Sequence, residues 1–450
     1  MSSSQSSKWI KSGIYSLSSR LSLLFLGFGS FFFLIRHLSK AEFGIWSLFL
    51  VSTTIIEMSR NGLIQNALIK LVHSSRPSDL NRVITSSLVI NAVYTLVVYV
   101  VLLLVSGFVE QSMGMTGIQS MFMLYGISMI LLIPFSQFNY LEQSRFSFKG
   151  IFYSSLVRQG VFFLFVVIVF FLNLNVTLLH LVILQSVSIL MGLVVAYYFA
   201  RKVLRFEISW DYKIVKQALT FGKYVMGTNV FSLLFKSTDQ FVIGYFLNAE
   251  SVAIYSSAMR LSNLIEYPAT SVAEVSYPHS TSRISIDGEA VIKTIYEKTV
   301  GLTLAIVLPI VVVTFLFSNL IISIIAGTAY AEASLVLRVL ILFGLLIPFN
   351  RQFGMVMDST GRPHINFRLL VFGFVLNLGL NVLMVFQFGI LGAAYATLLS
   401  YSLISVVGLV ILRKIFRIDL FEIFYFMGIY YKRSFDFVKN LVWQRYSSHE

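Results

Sequence analysis

Four cations stand where an apolar chain has least reason to put them: Arg20, Arg60, Lys236 and Arg260. Each falls within a run long and apolar enough to cross a bilayer, and Arg158 is a fifth, shallower case. Arg20 lies about seven residues into its run, hence roughly 10 Å deep at a rise of about 1.5 Å per residue. An ionisable group at that depth is costly and normally faces a cavity or a partner. Several cations held in a low-dielectric cavity would attract a multiply charged anion such as a phosphate or diphosphate. Three carboxylates, Glu57, Asp239 and Glu266, reach similar depth and are the natural candidates for coupling to protons or sodium. The competing reading is local neutralisation. Glu57 and Arg60 are three apart on one helix, as are Lys236 and Asp239, and Arg20 could snorkel to the interface. Both readings stay open for any one residue, while the set as a whole favours a cationic central cavity. Tyr255, Asn377 and Asn381 are polar groups that could hydrogen-bond a sugar or hold helices together, the second being the commoner role.

The elements that must position these groups are membrane helices. The 450 residues are 57% hydrophobic and only 12% charged, with a mean hydropathy of +0.82. That charge fraction is about half the soluble norm, which excludes a soluble globule. Apolar runs predict twelve spans, near 13–35, 43–68, 84–107, 118–140, 151–172, 176–199, 219–246, 252–276, 299–323, 334–355, 366–386 and 389–412. The net charge of +14 sits mostly in alternate loops, which opposes a nucleic-acid partner and orients the chain with both termini in the cytoplasm. Those loops carry Arg76 and Arg82, Arg145 and Lys149, Arg201 to Lys216, Arg283 to Lys298, Arg351 and Arg362, and Arg413 to Arg417. The first apolar run has a basic start and no small-residue cleavage site, so it is read as a retained helix. With no cysteine and six scattered histidines, neither a disulfide nor a metal centre is expected, and no cofactor beyond a coupling ion.

The chain also repeats itself. Ala41-Glu42-Phe43-Gly44-Ile45-Trp46-Ser47 returns, one residue longer, as Ala249-Glu250-Ser251-Val252-Ala253-Ile254-Tyr255-Ser256. Gly13, Tyr15, Ile56 and Glu57 fall on Gly222, Tyr224, Ile265 and Glu266 at an offset of 209. Six helices per half is an even number, so the halves run parallel, as in transporters whose two bundles rock about a central site. The expected organisation is a six-helix bundle over 1–208, a second over 209–412, and a basic, aromatic cytoplasmic tail over 413–450. In that tail the apolar patch 420–431 is too short to span, so it reads either as lying on the membrane surface or as poorly ordered. Glu57 and Glu266 coincide in the repeat. Arg20, Arg60, Lys236 and Arg260 fall instead on Asn229, Ala269, Gly27 and Val51, which marks the cations as additions to a shared frame and favours a functional reading.

Three segments carry a family resemblance: LSKAEFGIWS at 38–47; STDQFVIGYFLNAESVAIYSSAMR at 237–260, with Tyr277-Pro278 following; and 359–400, from STGRPHINF through Asn377 and Asn381 to GILGAAYATLLS. In this order they resemble the Wzx-like polysaccharide flippases of the multidrug/oligosaccharidyl-lipid/polysaccharide superfamily. The resemblance implies an all-α integral membrane fold, two parallel six-helix bundles in a V-shaped, MATE-like alternating-access transporter. It implies a polyprenyl-diphosphate-linked oligosaccharide as substrate, moved from inner to outer leaflet of a bacterial cytoplasmic membrane for O-antigen-type surface polysaccharide. A monomer is expected, with a polysaccharide polymerase or glycosyltransferases as possible partners. In the related lipid II flippases cations on helices one, two and eight line the cavity, and Arg20, Arg60 and Arg260 occupy those helices here; Lys236 and Arg158 rest on the local argument. The rivals are a cation or drug antiporter of the same fold, a membrane enzyme acting on lipid-linked sugars, and a major-facilitator carrier. Short outer loops and the lack of a nucleophile constellation oppose the enzyme. The turn SSRPSDLNR at 74–82 lacks the glycine-rich charged motif of the facilitator carriers.

Overall fold

The repeated phrase is first of all a helix start. Ser39 caps α2 (Lys40–Ser74): its hydroxyl accepts from the Glu42 N–H, and the Glu42 carboxylate accepts from the Ser39 N–H at 2.9 Å, a capping box. The second copy uses Asn248, whose side chain accepts from the Ser251 N–H at 2.8 Å at the start of α8 (Ala249–Ser262).

The computed structural model describes residues 3–76, 79–201, 209–273, 276, 289 and 291–447. Lys202, Arg205, Arg283 and the Tyr277-Pro278 pair lie outside the described residues. The remaining helices are α1 (Ser3–His37), α3 (Leu80–Met113), α4 (Ile118–Ser144), α5 (Phe148–Phe171), α6 (Leu178–Ala200), α7 (Tyr212–Phe246), α9 (Val291–Leu316), α10 (Ser318–Ile325), α11 (Ala333–Phe343), α12 (Ile347–Ser359), α13 (Pro363–Phe416) and α14 (Leu420–Ser447). In hydrocarbon each backbone amide must be satisfied within its own segment, which is why long apolar runs become helices. Among the described residues eight helices are long and apolar enough to cross a membrane, and α11 with α12, bent by 40°, makes a ninth span. The helix α13 is two helices joined at Gly389, whose φ of 60° and ψ of −138° break the coil. The helices α7 and α8, which hold Lys236, Asp239 and Arg260, lie over the expected spans 219–246 and 252–276, α8 running on through a 3-10 turn to residue 273. The chain is an all-α, multi-pass membrane protein.

Two compact units emerge from the contacts: 1–234 with 247–253, and 235–246 with 254–450. The division by contacts runs through α7 after Leu234. In the first unit α1 packs on α5, α5 and α4 on α6, and α4 on α2 and α3. Its core holds Trp46, ring-stacked with Phe49 at 5.4 Å and Phe162 at 6.2 Å. In the second unit α13 packs on α11 and α12, and α9 on α14. The tail is therefore no loose end. It forms a helix whose buried Ile423 meets α9, with the Asp419 N–H donating to Glu297 at 2.8 Å. Its Phe421, Tyr425 and Phe435 remain exposed.

Candidate functional site

Local neutralisation proves to be the wrong pairing. Glu57 on α2 does not take Arg60, one turn away, but Arg158 on α5, whose two terminal nitrogens donate to its two oxygens at 2.9 and 3.4 Å. Tyr125 on α4 donates to the same carboxylate at 3.5 Å, and Phe135 lies under the guanidinium at 5.5 Å. In the other unit Lys236 does not pair with Asp239. Its ammonium donates to both oxygens of Glu266 at 2.6 Å. The two glutamates that coincide in the repeat are thus each neutralised by a cation from a different helix.

Arg60 is left among tyrosines. It is 3% exposed, forms no ion pair among the described residues, and hydrogen-bonds Tyr140 of α4, whose hydroxyl in turn donates to Asn61 at 2.5 Å. Its Nε has no hydrogen-bond partner among the described residues. Tyr94 of α3 stands on the same side, bonded to Ser59 and donating to the Ile56 carbonyl at 3.2 Å. Arg20 and Arg260 are exposed on α1 and α8. Arg20, Arg60 and Arg158 belong to the first unit, Lys236 and Arg260 to the second.

Asp239 is held otherwise. It is 1% exposed and forms no ion pair among the described residues, where its carboxylate accepts from neutral donors of three other helical segments. Asn381 donates to Oδ1 at 2.6 Å, Thr397 to Oδ2 at 2.7 Å, and Tyr255 to Oδ2 as well. Asn381 also reaches the Asn377 side chain at 3.1 Å, and Asn377 reaches Ser400 at 3.4 Å. Gly389 lets this happen: it turns the chain back so that Asn377 and Asn381 before it face Thr397 and Ser400 after it. The oxygen of Asn381 is buried without a hydrogen-bond partner among the described residues. Tyr255, Asn377, Asn381 and Asp239, separate candidates in the sequence, form one cluster. Thr397 and Ser400 were missed; their three-residue spacing puts two hydroxyls on one face of an apolar helix, a signal visible only beside the asparagines. Arg338 of α11 was missed too and donates to Ser318 at 2.7 Å.

Comparison with known proteins agrees with this architecture. A family model described as polysaccharide biosynthesis protein matches residues 33–335. A probable low-salt glycan biosynthesis flippase of Haloferax volcanii is 26% identical over 196 residues, 44% of this chain and 42% of that protein. The chain spans less than half the length of the curated relatives it matches. An inward-facing multidrug resistance MATE family transporter of the MOP superfamily superposes with a TM-score of 0.77 at 15% identity, covering 87% of this chain and 94% of that one. The lipid II flippase MurJ in an inward closed conformation superposes with a TM-score of 0.74 at 14% identity, covering 92% and 90%. At such identities the likeness is one of fold.

Proposed function

The chain belongs to the family of polysaccharide biosynthesis proteins, and from that premise we propose that it is a flippase for a lipid-diphosphate-linked oligosaccharide. The observation that carries the reading is Arg60, a buried guanidinium on a spanning helix that forms no ion pair among the described residues. Burying an unpaired cation is costly, and a diphosphate passing that point would supply the missing charge in bidentate geometry. Arg20 and Arg260, exposed on helices that the family resemblance associates with the substrate path, would attract the same group. Arg158 and Lys236 are already neutralised and serve the frame instead.

Transport would proceed by alternating access in the cytoplasmic membrane, from inner to outer leaflet, with both termini cytoplasmic. Glycosyltransferases would supply the substrate and a polymerase would consume it. With Glu57 and Glu266 occupied by their cations, Asp239 is the carboxylate left for coupling, and sodium or a proton is the ion it would take among its ring of oxygens. A cation or drug antiporter is less well supported, because an acid in the path is what it needs and two of the three deep acids are paired. The test is leaflet exchange of a fluorescent polyprenyl-diphosphate oligosaccharide in proteoliposomes. Arg60→Ala should abolish exchange and Arg60→Lys should keep part of it, with protein amount unchanged. Wild-type rates in Arg60→Ala would refute the proposal.

A further inference from the structure

Two glycines bring α2 and α7 of the first unit almost into backbone contact. A Cβ at Gly222 would lie 2.0 Å from the Leu63 carbonyl oxygen, and one at Gly62 would lie 2.7 Å from the Met226 Cα. Toward the Ser74 end of α2 the two segments part and leave a cavity of about 730 Å³, within the usual range for small-molecule sites. Its polar wall is Lys70, Ser74, Lys213, Lys216, Gln217 and Thr220. Three lysines line it and none of the lining residues is an acid. No ion pair to Lys70, Lys213 or Lys216 exists among the described residues. Asp211, the nearest acid in sequence, spends one oxygen on the Lys213 N–H at 2.7 Å, which starts α7. The floor is apolar, with Leu71 and Phe221, and Lys70 sits 4.6 Å above the Phe221 ring.

The depth of this cavity follows from the helix ends. Lys70 is in the last turn or so of α2, and Lys213 and Lys216 are in the first turns of α7. Tyr224 lines it, and Trp210 and Tyr212, next in sequence to Lys213, are exposed as well, the aromatic pattern of a membrane–water interface. A free phosphate would use the lysines and waste the apolar floor. A lipid would use both, its headgroup among the ammonium groups and its chains running from Leu71 and Phe221 into the bilayer.

We propose that this cavity between α2 and α7 binds the headgroup of an anionic glycerophospholipid, in the leaflet that the positive loops assign to the cytoplasm. Basic pockets between membrane helices on that side are the general form such sites take. None of its lining residues is Arg60 or a member of the Asp239 cluster, and the site does not depend on what the protein transports.

The experiment is native mass spectrometry of the full chain released from nanodiscs of phosphatidylcholine mixed with phosphatidylglycerol or cardiolipin. Wild type should retain one anionic lipid with a preference of about tenfold over phosphatidylcholine. Lys70→Gln/Lys213→Gln/Lys216→Gln should lose that preference while unfolding at the wild-type temperature in pure phosphatidylcholine. Should the triple variant fail to fold, the single variant Lys216→Gln should lower the preference severalfold, and Leu71→Trp, which fills the floor and leaves every lysine, should lower it too. Equal retention by wild type and the lysine variants would overturn the proposal. So would displacement of the lipid by millimolar inorganic phosphate, which would mark a free-anion site, or by an equimolar polyprenyl diphosphate, which would mark a substrate station.

Discussion

Removing one member of the Lys236–Glu266 pair should harm the protein more than removing both. The ammonium lies 2.6 Å from each carboxylate oxygen, and the side chains are only 32% and 25% exposed. At an effective dielectric of about 20, unit charges about 3 Å apart attract by roughly 5–6 kcal/mol. Desolvation of both ions returns most of that, so the pair as a whole contributes little net stability. A single substitution is different, since it strands the other charge with its desolvation uncompensated. Full burial would put that loss at about 3–5 kcal/mol, and the residual exposure here lowers it to about 2 kcal/mol. Lys236→Met and Glu266→Gln should therefore each cost about 2 kcal/mol, the double variant about 1 kcal/mol, and the coupling should be about 3 kcal/mol. The assay is a double-mutant cycle by denaturant unfolding of the purified protein in micelles, with leaflet exchange measured on the same four proteins. The double variant should recover exchange along with stability. Additive losses in the cycle would refute the pairing argument, and a stable double variant without exchange would show that Lys236 contacts the substrate itself.

Three further substitutions test the frame. Asp239→Leu leaves the Tyr255, Thr397 and Asn381 donors facing an apolar side chain, and unfolding should report a loss of about 3 kcal/mol or more. Gly222→Ala places a methyl 2.0 Å from the Leu63 oxygen, so α2 and α7 must separate, at about 1–3 kcal/mol read as a lowered Tm. Glu297→Ala removes the acceptor of the Asp419 N–H, and tryptic cleavage at Arg417 should quicken about fivefold as α14 loses its anchor at 2.8 Å.

Most of the helices could be read from the chain, because a run of about twenty apolar residues has few other uses. The link after Leu316 could not: the span expected at 299–323 stops there, and α10 (Ser318–Ile325) follows as a separate short helix. The titratable residues of the site were legible as well, but their partners were not. Spacing along one helix put Arg60 with Glu57 and Asp239 with Lys236, since three residues is the reach of a local pair. The observed partners come from other helices, and a bidentate contact to Glu57 needs a guanidinium approaching the carboxylate end-on, as Arg158 does from α5. Thr397 gave no signal alone, being a hydroxyl in an apolar helix that ordinarily bonds its own backbone. It took the reversal at Gly389 to set it opposite Asn381.

The duplication bears on function in a different way once the partners are known. Cations absent from the other half were read as additions for a substrate, on the ground that the shared frame did not need them. The frame does need one of them, Lys236, and it needs Arg158 besides. A carboxylate inherited at the same depth in each half, Glu57 and Glu266, poses the same burial problem twice. One half answers with an arginine from α5 and the other with a lysine from α7. Lack of a counterpart is thus no mark of a substrate contact, because unlike cations have met like demands. The stricter criterion is a deep cation with no counterpart and no acid to answer to. Among the residues buried on spanning helices Arg60 meets it, with Glu57 one turn away already taken by Arg158. On the proposed flippase reading, the incoming negative charge would meet α2 beside Tyr94, Tyr125 and Tyr140. The same reading predicts that Glu57→Gln, which frees Arg158, should tighten anion binding near Arg60 rather than weaken it, a gain readable as a lowered apparent Kd for a polyprenyl diphosphate. A loss of affinity on that substitution would mean that Glu57, and not the cation, faces the ligand.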